Sequence, residues 1–218
     1  MSAPPALTVR QLGLTDYQSA WQDMQAFTDN RNENTPDELW FLEHPPVFTL
    51  GRNGKQQHLH HTGDIPVIRA DRGGQVTYHG PGQLIIYLMI DIKRRSLGVR
   101  KLVTLIEKSI IDTLQEYQLS GSAKKAAPGV YIGNAKIAAL GLRIRKGCSF
   151  HGLSLNIDMN LAPFKQINPC GYKNLEVIQL SDYIESIELS QVQRQLTAHL
   201  VKNLGYEKYS NDGSLENL

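Results

Sequence analysis

The strongest constraint on the fold is a glycine-rich segment that runs directly into an uninterrupted apolar stretch. Residues 71–83 are DRGGQVTYHGPGQ, and residues 84–90 are all apolar or aromatic. A short apolar run bounded by turn residues is typical of a buried strand. The adjacent glycines Gly73 and Gly74 permit positive φ and leave backbone N–H groups uncovered, so a ligand can approach the main chain. We therefore expect a shaped loop beside a core strand, although a plain connection with a turn at each end would have a similar composition.

Length and composition indicate one folded globular domain. The chain has 218 residues, of which 41% are hydrophobic and 20% are charged, as in globular proteins with a sizeable core. Its 23 basic and 21 acidic residues leave a net charge of +2, so we expect no general nucleic-acid binding. We predict a single domain over residues 1–218, with a flexible tail from about residue 210.

Two features bear on location and redox state. The first seven residues contain neither a basic nor an apolar signal region, and the longest apolar run is far shorter than the roughly 20 residues that a membrane helix needs. We therefore predict a cytoplasmic protein with no membrane partner. In a reducing cytoplasm, Cys148 and Cys170 are expected to be free thiols.

Apolar periodicity predicts three helices. Thr15 and Gln18 have the form of a capping box, and a helical stripe follows over residues 17–27. The clearest helix carries apolar residues at i, i+4 spacing over residues 102–117. A third helix is expected after Ser190, which has the side chain of an N-cap.

Short apolar runs and alternation predict the strands. The runs lie at residues 9–12, 39–42, 47–50 and 65–69. Period-two alternation over residues 130–157, broken by turns at residues 133–134 and 146–147, predicts an antiparallel meander. One face of this meander is expected to be buried and the other polar.

The two cysteines have different surroundings. Cys170 lies between Pro169 and Gly171 in a predicted loop, where its sulfur is uncrowded. Cys148 opens an alternating strand and is expected to be a small packed hydrophobe. Cys170 is therefore the candidate nucleophile. Lys136 follows a tight turn, a position where a lysine is ordinarily only a solubilising charge.

Two other polar segments are weaker candidates for function. Residues 51–55, GRNGK, lack the Walker form of a phosphate-binding loop. His58, His60 and His61 lie close together, but no nearby cysteine or ordered carboxylate pattern completes a metal site. We interpret these segments as a turn and a solvated loop, and we predict no metal.

The remaining motifs occur in a fixed order along nearly the whole chain. They are RGGQVTYHGPGQ (72–83), GVYIG (129–133), KI (136–137), GLR (141–143), SFHG (149–152) and NPCGY (168–172). This set resembles the motifs of bacterial octanoyltransferases, also called lipoyl(octanoyl) transferases or lipoate-protein ligase B.

The resemblance implies both a fold and an activity. The fold is α+β, with a mixed, largely antiparallel sheet flanked by helices, as in biotin and lipoate protein ligases. The activity is transfer of an octanoyl group from octanoyl-acyl carrier protein to a lysine of a lipoyl domain, the first step of lipoate biosynthesis on protein. The implied acceptors are the lipoyl domains of 2-oxoacid dehydrogenase complexes and the glycine cleavage H protein. No cofactor is implied, and we expect a monomer.

The resemblance also assigns site residues. Cys170 matches the acyl-accepting thiol, and Lys136 matches the lysine that activates it. The residues that match the substrate-binding segments are Arg72, Gly73, Gly74, Gln75, Val76, Thr77, Tyr78, His79, Ala139, Leu140, Gly141, Gly152, Leu153 and Ser154.

Two alternatives remain open on sequence alone. An ATP-dependent lipoate or biotin ligase of the same fold would activate a free acid, which needs a phosphate cradle and no nucleophilic cysteine. In a non-catalytic acyl-carrier-binding module, Cys170 would have no chemical role.

A transferase of the implied kind would dock acidic carriers, so we expect a basic surface for them. Its predicted members are Lys93, Arg94, Arg95, Arg143, Arg145 and Lys146.

Overall fold

The computed structural model describes residues 7–125, 127–172, 175–211 and 214–217, and for Cys170 and residues 214–217 it describes the backbone alone. The helices are α1 (Tyr17–Asn30), α2 (Val99–Glu116) and α3 (Leu189–Leu204). The strands are β1 (Leu7–Leu14), β2 (Asp37–Glu43), β3 (Val47–Leu50), β4 (Val67–Arg69), β5 (Val76–His79), β6 (Gln83–Met89), β7 (Gly121–Ala123), β8 (Gly129–Ile132), β9 (Ala135–Arg145), β10 (Cys148–Asn156), β11 (Lys208–Asn211) and β12 (Ser214–Asn217).

Two sheets organise these strands. The larger has the order β12-β11-β1-β2-β6-β10-β9-β8-β7, and the smaller has the order β4-β3-β5. In the larger sheet β1 runs parallel to β2 and β11, and the other pairs are antiparallel. The central strand β6 is buried along its whole length, as its apolar sequence predicts. The predicted α+β class with a mixed, largely antiparallel sheet is confirmed.

The two faces of the large sheet are covered differently. On one face, the apolar stripe of α2 and the apolar side of α3 pack against β6 and its neighbours, with Ile106 and Leu200 fully buried. On the other face, Met24 of α1 packs against Ile85 and Met89 of β6. Each such side chain contributes roughly 1.5–3 kcal/mol by leaving water. The small sheet lies on the same side as α1, because Tyr17 of α1 packs with β3 and the segment after β4.

A buried carboxylate joins elements that are distant in sequence. Asp37, at the start of β2, accepts hydrogen bonds from Arg31 (2.5 Å), Arg94 (2.8 Å), the Tyr206 hydroxyl (2.7 Å) and the backbone N–H of Asp91 (2.8 Å). These groups follow α1, β6 and α3. The Asp37 cluster therefore fixes three connections at one end of strands β2 and β6.

The structure differs from the sequence prediction at several element ends. Helix α1 is capped by Asp16, whose carboxylate accepts the N–H of Ser19 at 2.9 Å, whereas the predicted cap, Thr15, donates its hydroxyl to Leu12. The predicted cap of α3 was also wrong, since the N-cap is Glu188 and it makes no side-chain bond. These ends depend on which nearby polar group reaches the first free N–H, which pattern alone does not fix.

Three further differences concern strands. Residues 76–79 form β5 inside the segment that we expected to be a loop. Strand β10 is buried on both faces, because α1 and the segment around Asp71 cover its second face as well. From residue 208 the chain pairs with β1 and then turns back as β12, where the sequence indicated a tail from about residue 210. Among the described residues, no helix has both the length and the apolar character that crossing a membrane requires.

Candidate active site

A largely apolar cavity lies between the large sheet and the small one. It has a volume of about 500 Å³, including its open mouth. Strands β6, β9 and β10 form one wall, β5 and the glycine-rich loop form the other, and the first turn of α1 closes one side. Its lining residues are Tyr17, Arg72, Gly74, Gln75, Val76, Thr77, His79, Ile85, Tyr87, Ala139, Leu140, Gly141, His151, Gly152, Leu153 and Ser154.

The structure brings together nearly all the predicted substrate-binding residues. All of them except Gly73 and Tyr78 line this cavity. Gly73 lies on the outer side of the glycine-rich loop, where its N–H donates to the carbonyl of Leu142 at 3.0 Å. Tyr78 faces the opposite side of β5, and its ring packs against Phe48 and Phe164 at centroid distances of 5.4 and 5.5 Å.

Arg72 holds the glycine-rich loop in shape. Its guanidinium is buried and donates to the Thr49 hydroxyl (3.0 and 2.8 Å), the Thr49 carbonyl (2.7 Å), and the carbonyls of Gly73 and Gln75 (both 2.9 Å). Because these acceptors lie on both sides of the loop, one side chain fixes the path of residues 73–75. The cation is thus built into the wall of the cavity.

His79 is the centre of a buried hydrogen-bond chain. Its Nδ1 donates to Gln83 Oε1 at 2.7 Å, and its Nε2 faces the Thr49 hydroxyl at 3.4 Å. Gln83 in turn donates to Asn156 at 2.9 Å, and Asn156 donates to the carbonyl of Ile178 at 2.9 Å. Burial, together with the neighbouring His44, sets the pKa of His79 well below its usual value. His79 is therefore neutral and serves to join the small sheet to the large one.

Aromatic and imidazole rings line the inner part of the cavity. Tyr17 stacks on His79 at 6.0 Å and meets the edge of His44 at 5.1 Å. His44 donates from Nδ1 to the Thr15 carbonyl, so its Nε2 accepts the Tyr87 hydroxyl, both at 2.6 Å. Burial lowers the pKa of His44 to about 4 and raises that of Tyr17 to about 12. These rings stay uncharged at neutral pH, as an apolar ligand requires.

His151 borders the cavity through an unusual backbone position. It has a φ of +57°, a region that residues other than glycine seldom adopt. Its Nε2 donates to Asp71 Oδ1 at 2.8 Å, and Trp21 donates to the same oxygen at 2.8 Å. Burial lowers the pKa of His151 although Asp71 opposes the shift. The next residue, Gly152, must be glycine because a Cβ there would lie 2.0 Å from the Ile86 carbonyl oxygen.

Lys136 lies beside this cavity. It is only 4% exposed, near the start of β9, and its Nζ donates to the Pro128 carbonyl at 3.2 Å and lies over the Tyr131 ring at 5.1 Å. Its backbone accepts the N–H of Ile178 at 3.0 Å and donates to the carbonyl of Glu176 at 2.8 Å. The solubilising surface position that the local sequence alone indicates for Lys136 is wrong, because the strand carries the side chain inward.

The turn that carries Cys170 adjoins Lys136. Lys136 and Pro169 line one small space, which shares Thr77, Ala139 and Ser154 with the larger cavity. Residues Pro169–Gly171 form a single 3-10 turn, and Gly171 has a φ of +79° that favours glycine. The side chain of Cys170 lies outside the described part of the structure, so the nucleophile prediction stays a prediction.

The turn is held from outside by the segment that contains the three clustered histidines. The Asn168 N–H donates to the His58 carbonyl at 2.9 Å, and the His60 N–H donates to the Gln166 carbonyl at 2.8 Å. In the part of the chain that the structure describes, no group of three or more metal-ligating side chains converges. We therefore interpret this segment as a support for the Pro169–Gly171 turn.

The predicted basic docking surface is mostly occupied by pairs within the chain. Arg94 binds Asp37, and Arg95 donates to the Leu204 carbonyl and lies over the Tyr206 ring at 4.0 Å. Two other members pair with one carboxylate, since Arg145 and Lys146 lie 3.0 and 3.1 Å from Asp29. Arg94 and Arg95 therefore contribute to the fold, and their role in docking stays a prediction.

Several cavity residues escaped the sequence interpretation. Tyr17 was assigned to a helix core face, Tyr87 and Ile85 to a buried strand, and His151 only to a motif. Two signals were present. Tyr87 carries the one hydroxyl within residues 84–90, and His151 is a titratable residue inside a strand that is otherwise apolar or small. Both signals point to a polar atom that needs a partner within the core.

Comparison with known proteins gives a consistent result. Residues 16–201 match the family model described as the lipoyl protein ligase A/B catalytic domain. A protein of Vibrio vulnificus named octanoyltransferase is 56% identical over 202 residues, 93% of this chain and 93% of that one. An octanoyltransferase of Pseudomonas savastanoi pv. phaseolicola is 58% identical over 201 residues, 92% of each chain.

Solved structures share the fold at low identity. A bipartite lipoate protein ligase of Thermoplasma acidophilum has a TM-score of 0.74 at 14% identity, covering 95% of this chain and 88% of that one. The biotin protein ligase of Aquifex aeolicus has a TM-score of 0.55 at 11% identity, covering 91% of this chain and 68% of that one. The expected similarity to biotin and lipoate protein ligases is therefore confirmed for the fold.

Proposed function

The chain belongs to the family of lipoyl protein ligase A/B catalytic domains, and we propose that it moves an octanoyl group from acyl carrier protein to a lipoyl-domain lysine through a thioester on Cys170. Its identity with proteins named octanoyltransferase extends over nearly the whole chain. It is accordingly an acyltransferase that acts in protein lipoylation. The donor, the acceptor lysine and the thioester are the parts that we propose.

One observation carries the proposal. A buried lysine ammonium lies where an apolar cavity meets the turn of Cys170, since Lys136 and Pro169 line the same small space. A positive charge beside a thiol favours the thiolate, which is the reactive form. The adjoining cavity, with its neutral rings and aliphatic side chains, suits an acyl chain. This pairing of a charge with an apolar slot fits acyl transfer to sulfur.

The chemistry then proceeds in two exchanges. The Cys170 thiolate attacks the donor's thioester carbonyl; a new C–S bond forms, the carrier's C–S bond breaks, and the carrier thiolate takes a proton from Lys136. The lysine amine of the acceptor next attacks the acyl-enzyme; a C–N bond forms, Cys170 leaves as thiolate, and the amine's proton returns to Lys136. Because the donor is already a thioester, we expect no ATP or cofactor to be needed.

The remaining residues bind the acyl chain and shape the cavity around it. We propose that Arg72, Gly74, Gln75, Val76, Thr77 and His79 form one wall of the acyl site, and that the other wall comes from residues 139–141 and 152–154. The N–H groups of Gly73 and Gly171 already donate to the carbonyls of Leu142 and Asn168. The oxyanion must therefore find other donors. We place the reaction in the cytoplasm, with a monomeric enzyme acting on 2-oxoacid dehydrogenase lipoyl domains and the glycine cleavage H protein.

The decisive experiment is intact-mass spectrometry after incubation with octanoyl-acyl carrier protein and no ATP. The native chain should gain one octanoyl group and lose it when a lipoyl domain is added. Cys170→Ser should gain none, because the nucleophilic sulfur is absent. Cys148→Ser is the matched control, since Cys148 is buried at the start of β10 and burial raises its pKa.

Two results would contradict the proposal. An increment that requires ATP and free octanoate would indicate a ligase that forms an acyl-adenylate. Stable binding of the carrier protein without any covalent adduct would indicate a non-catalytic binding module.

A further inference from the structure

One end of the acyl cavity lies well away from Lys136. Thr77, Ala139 and Ser154 line both the cavity and the space beside Lys136, so they mark the reaction end. His151 precedes Ser154 by three residues on β10, a distance of about 10 Å at 3.3 Å per residue. This span is comparable to an extended eight-carbon acyl chain. The far end of the cavity is therefore where the tail of such a chain would arrive.

The far end carries two buried polar atoms that lack partners. Within the described residues, neither the Tyr17 hydroxyl nor His151 Nδ1 has a hydrogen-bond partner. Both side chains are 2% exposed, and both residues line the cavity. Tyr17 lies beside His151 because its ring contacts Trp21, whose N–H donates to the same Asp71 oxygen as His151. Unpartnered polar atoms at such depth are uncommon in folded proteins.

The two atoms have complementary hydrogen-bonding roles. The Nε2 of His151 faces a carboxylate oxygen of Asp71, which only accepts, so Nε2 carries the proton and Nδ1 is an acceptor. Burial raises the pKa of Tyr17 to about 12, so its hydroxyl stays protonated and can donate. A hydroxyl group can donate to one of these atoms while it accepts from the other.

We propose that Tyr17 and His151 form a polar subsite at the far end of the acyl cavity, so that the enzyme also accepts medium-chain acyl groups whose terminal carbon carries a hydroxyl. The inference rests on the proposed function, because it takes the cavity to hold an acyl chain. An apolar cavity would disfavour such a chain by about 10²-fold, since a buried hydroxyl without partners loses its hydrogen bonds to water. Hydrogen bonds to the Tyr17 hydroxyl and to His151 Nδ1 would restore most of that lost free energy.

The test compares two thioesters of equal chain size. The pantetheine thioesters of 8-hydroxyoctanoate and nonanoate have the same number of non-hydrogen atoms, and the octanoyl thioester serves as the reference. The rate of acyl-enzyme formation is followed by intact mass, and the ratio of kcat/KM for the hydroxylated chain to that for nonanoyl is recorded. In the native chain we expect this ratio to lie within about tenfold of unity.

Tyr17→Phe is the diagnostic variant. It removes only the hydroxyl, so no hydrogen bond seen within the described residues is lost. We expect the ratio to fall by about five- to tenfold, as expected for the loss of one buried hydrogen bond. The matched control is Tyr183→Phe, which makes the same change at an exposed tyrosine that does not line the cavity and should leave the ratio as in the native chain.

The outcomes separate the inference from the function on which it rests. A native ratio below about one hundredth, or a ratio that does not change in Tyr17→Phe, would overturn the polar subsite while octanoyl transfer continues. The native ratio alone decides the matter if Tyr17→Phe does not fold. Failure of the native chain to form any acyl-enzyme, including with octanoyl-acyl carrier protein, would overturn the proposed function and the inference together.

Discussion

A buried ammonium is the most demanding single residue in the candidate site. Lys136 is almost fully enclosed, and its Nζ contacts a carbonyl and an aromatic ring, both of which stabilise positive charge. Burying a charge is costly unless hydrogen bonds or an opposite charge offset it. A thiolate on the neighbouring turn would supply such an opposite charge. The same interaction would lower the pKa of the Cys170 thiol from the ordinary value of about 8.5.

Replacing Lys136 with Met tests this coupling. The change removes the charge but keeps a linear side chain, so we expect the fold to persist. Acylation by octanoyl-acyl carrier protein should slow by about 10²–10⁴-fold, the usual contribution of a positioned proton donor. The pH profile of Cys170 alkylation, measured in a Cys148→Ser background, should shift to higher pH.

A control for this variant lies on the same aromatic ring. Lys124 also places its ammonium over Tyr131, at 4.3 Å, but it does not line the space next to Pro169. Lys124→Met should therefore leave both the acylation rate and the alkylation profile as in the native chain. An alkylation profile unchanged by Lys136→Met would rule out the activating role.

Among the elements, the connections depend on one buried carboxylate. Asp37 is fully buried and bonds to groups that follow α1, β6 and α3. Asp37→Asn removes its charge and leaves Arg31, itself buried, without its ion-pair partner. Breaking a buried pair in this way typically costs about 3–5 kcal/mol. We expect a decrease of that size in the free energy of unfolding, measured by urea denaturation at pH 7.5.

Asp29 provides the comparison for this prediction. Its ion pairs with Arg145 and Lys146 involve side chains that are 43% and 59% exposed, so water screens them. Asp29→Asn should change the free energy of unfolding by no more than about 1 kcal/mol. Equal effects of the two substitutions would mean that the Asp37 cluster is no more important than a surface ion pair.

The elements that could be predicted are those whose signal is local. The apolar stripe of α2 repeats over many turns, and the alternation of β9 and β10 recurs across two tight turns. Each pattern can therefore be recognised without knowing which element packs against it. Strand β5 has only four residues inside a glycine-rich segment, and it becomes a strand because β3 supplies its hydrogen bonds. The cap of α1 likewise depended on whether Thr15 or Asp16 reached the first turn.

Across the whole molecule, the motifs contain most of the residues that line the cavity, but they do not show how those residues are arranged. One cavity is surrounded by the glycine-rich loop, residues 139–141 and residues 152–154. These segments meet because β9 and β10 of the large sheet face β5 of the small sheet. No local pattern shows that facing arrangement. Tyr17 lies more than fifty residues before the loop, and no sequence pattern predicted that it lines the cavity. The packing of α1 against the small sheet brings it there.

The same arrangement buries three histidines together. His44, His79 and His151 lie within one group of rings, with His44 and His79 in edge contact at 5.8 Å. Burial lowers the pKa of each, that of His44 to about 4. In the unfolded chain each would titrate near 6.5. The folded protein therefore holds all three neutral over a pH range in which the unfolded chain binds protons.

This difference predicts a loss of stability in mild acid. For a histidine whose folded pKa is lowered, the stabilising contribution is complete above pH 6.5 and is lost as the pH falls toward the folded pKa. His44, whose folded pKa is about 4, should thus lower the free energy of unfolding by up to about 1.4 kcal/mol per pH unit between pH 6.5 and 4.5. His79 and His151 should add to this loss, because burial lowers their pKa in the same direction. Carboxylates such as Asp71, whose pKa is lowered because hydrogen bonds from His151 and Trp21 outweigh its burial, lose their contribution only below this window.

Urea denaturation at pH 7.5, 6.5, 5.5 and 4.5 measures the slope of the free energy of unfolding against pH. His44→Gln should reduce this slope by about 1.4 kcal/mol per pH unit, which corresponds to one proton. His60→Gln, on an exposed loop, should leave the slope as in the native chain. A free energy of unfolding that stays constant from pH 7.5 to 4.5 would show that the three rings do not resist protonation in the folded state.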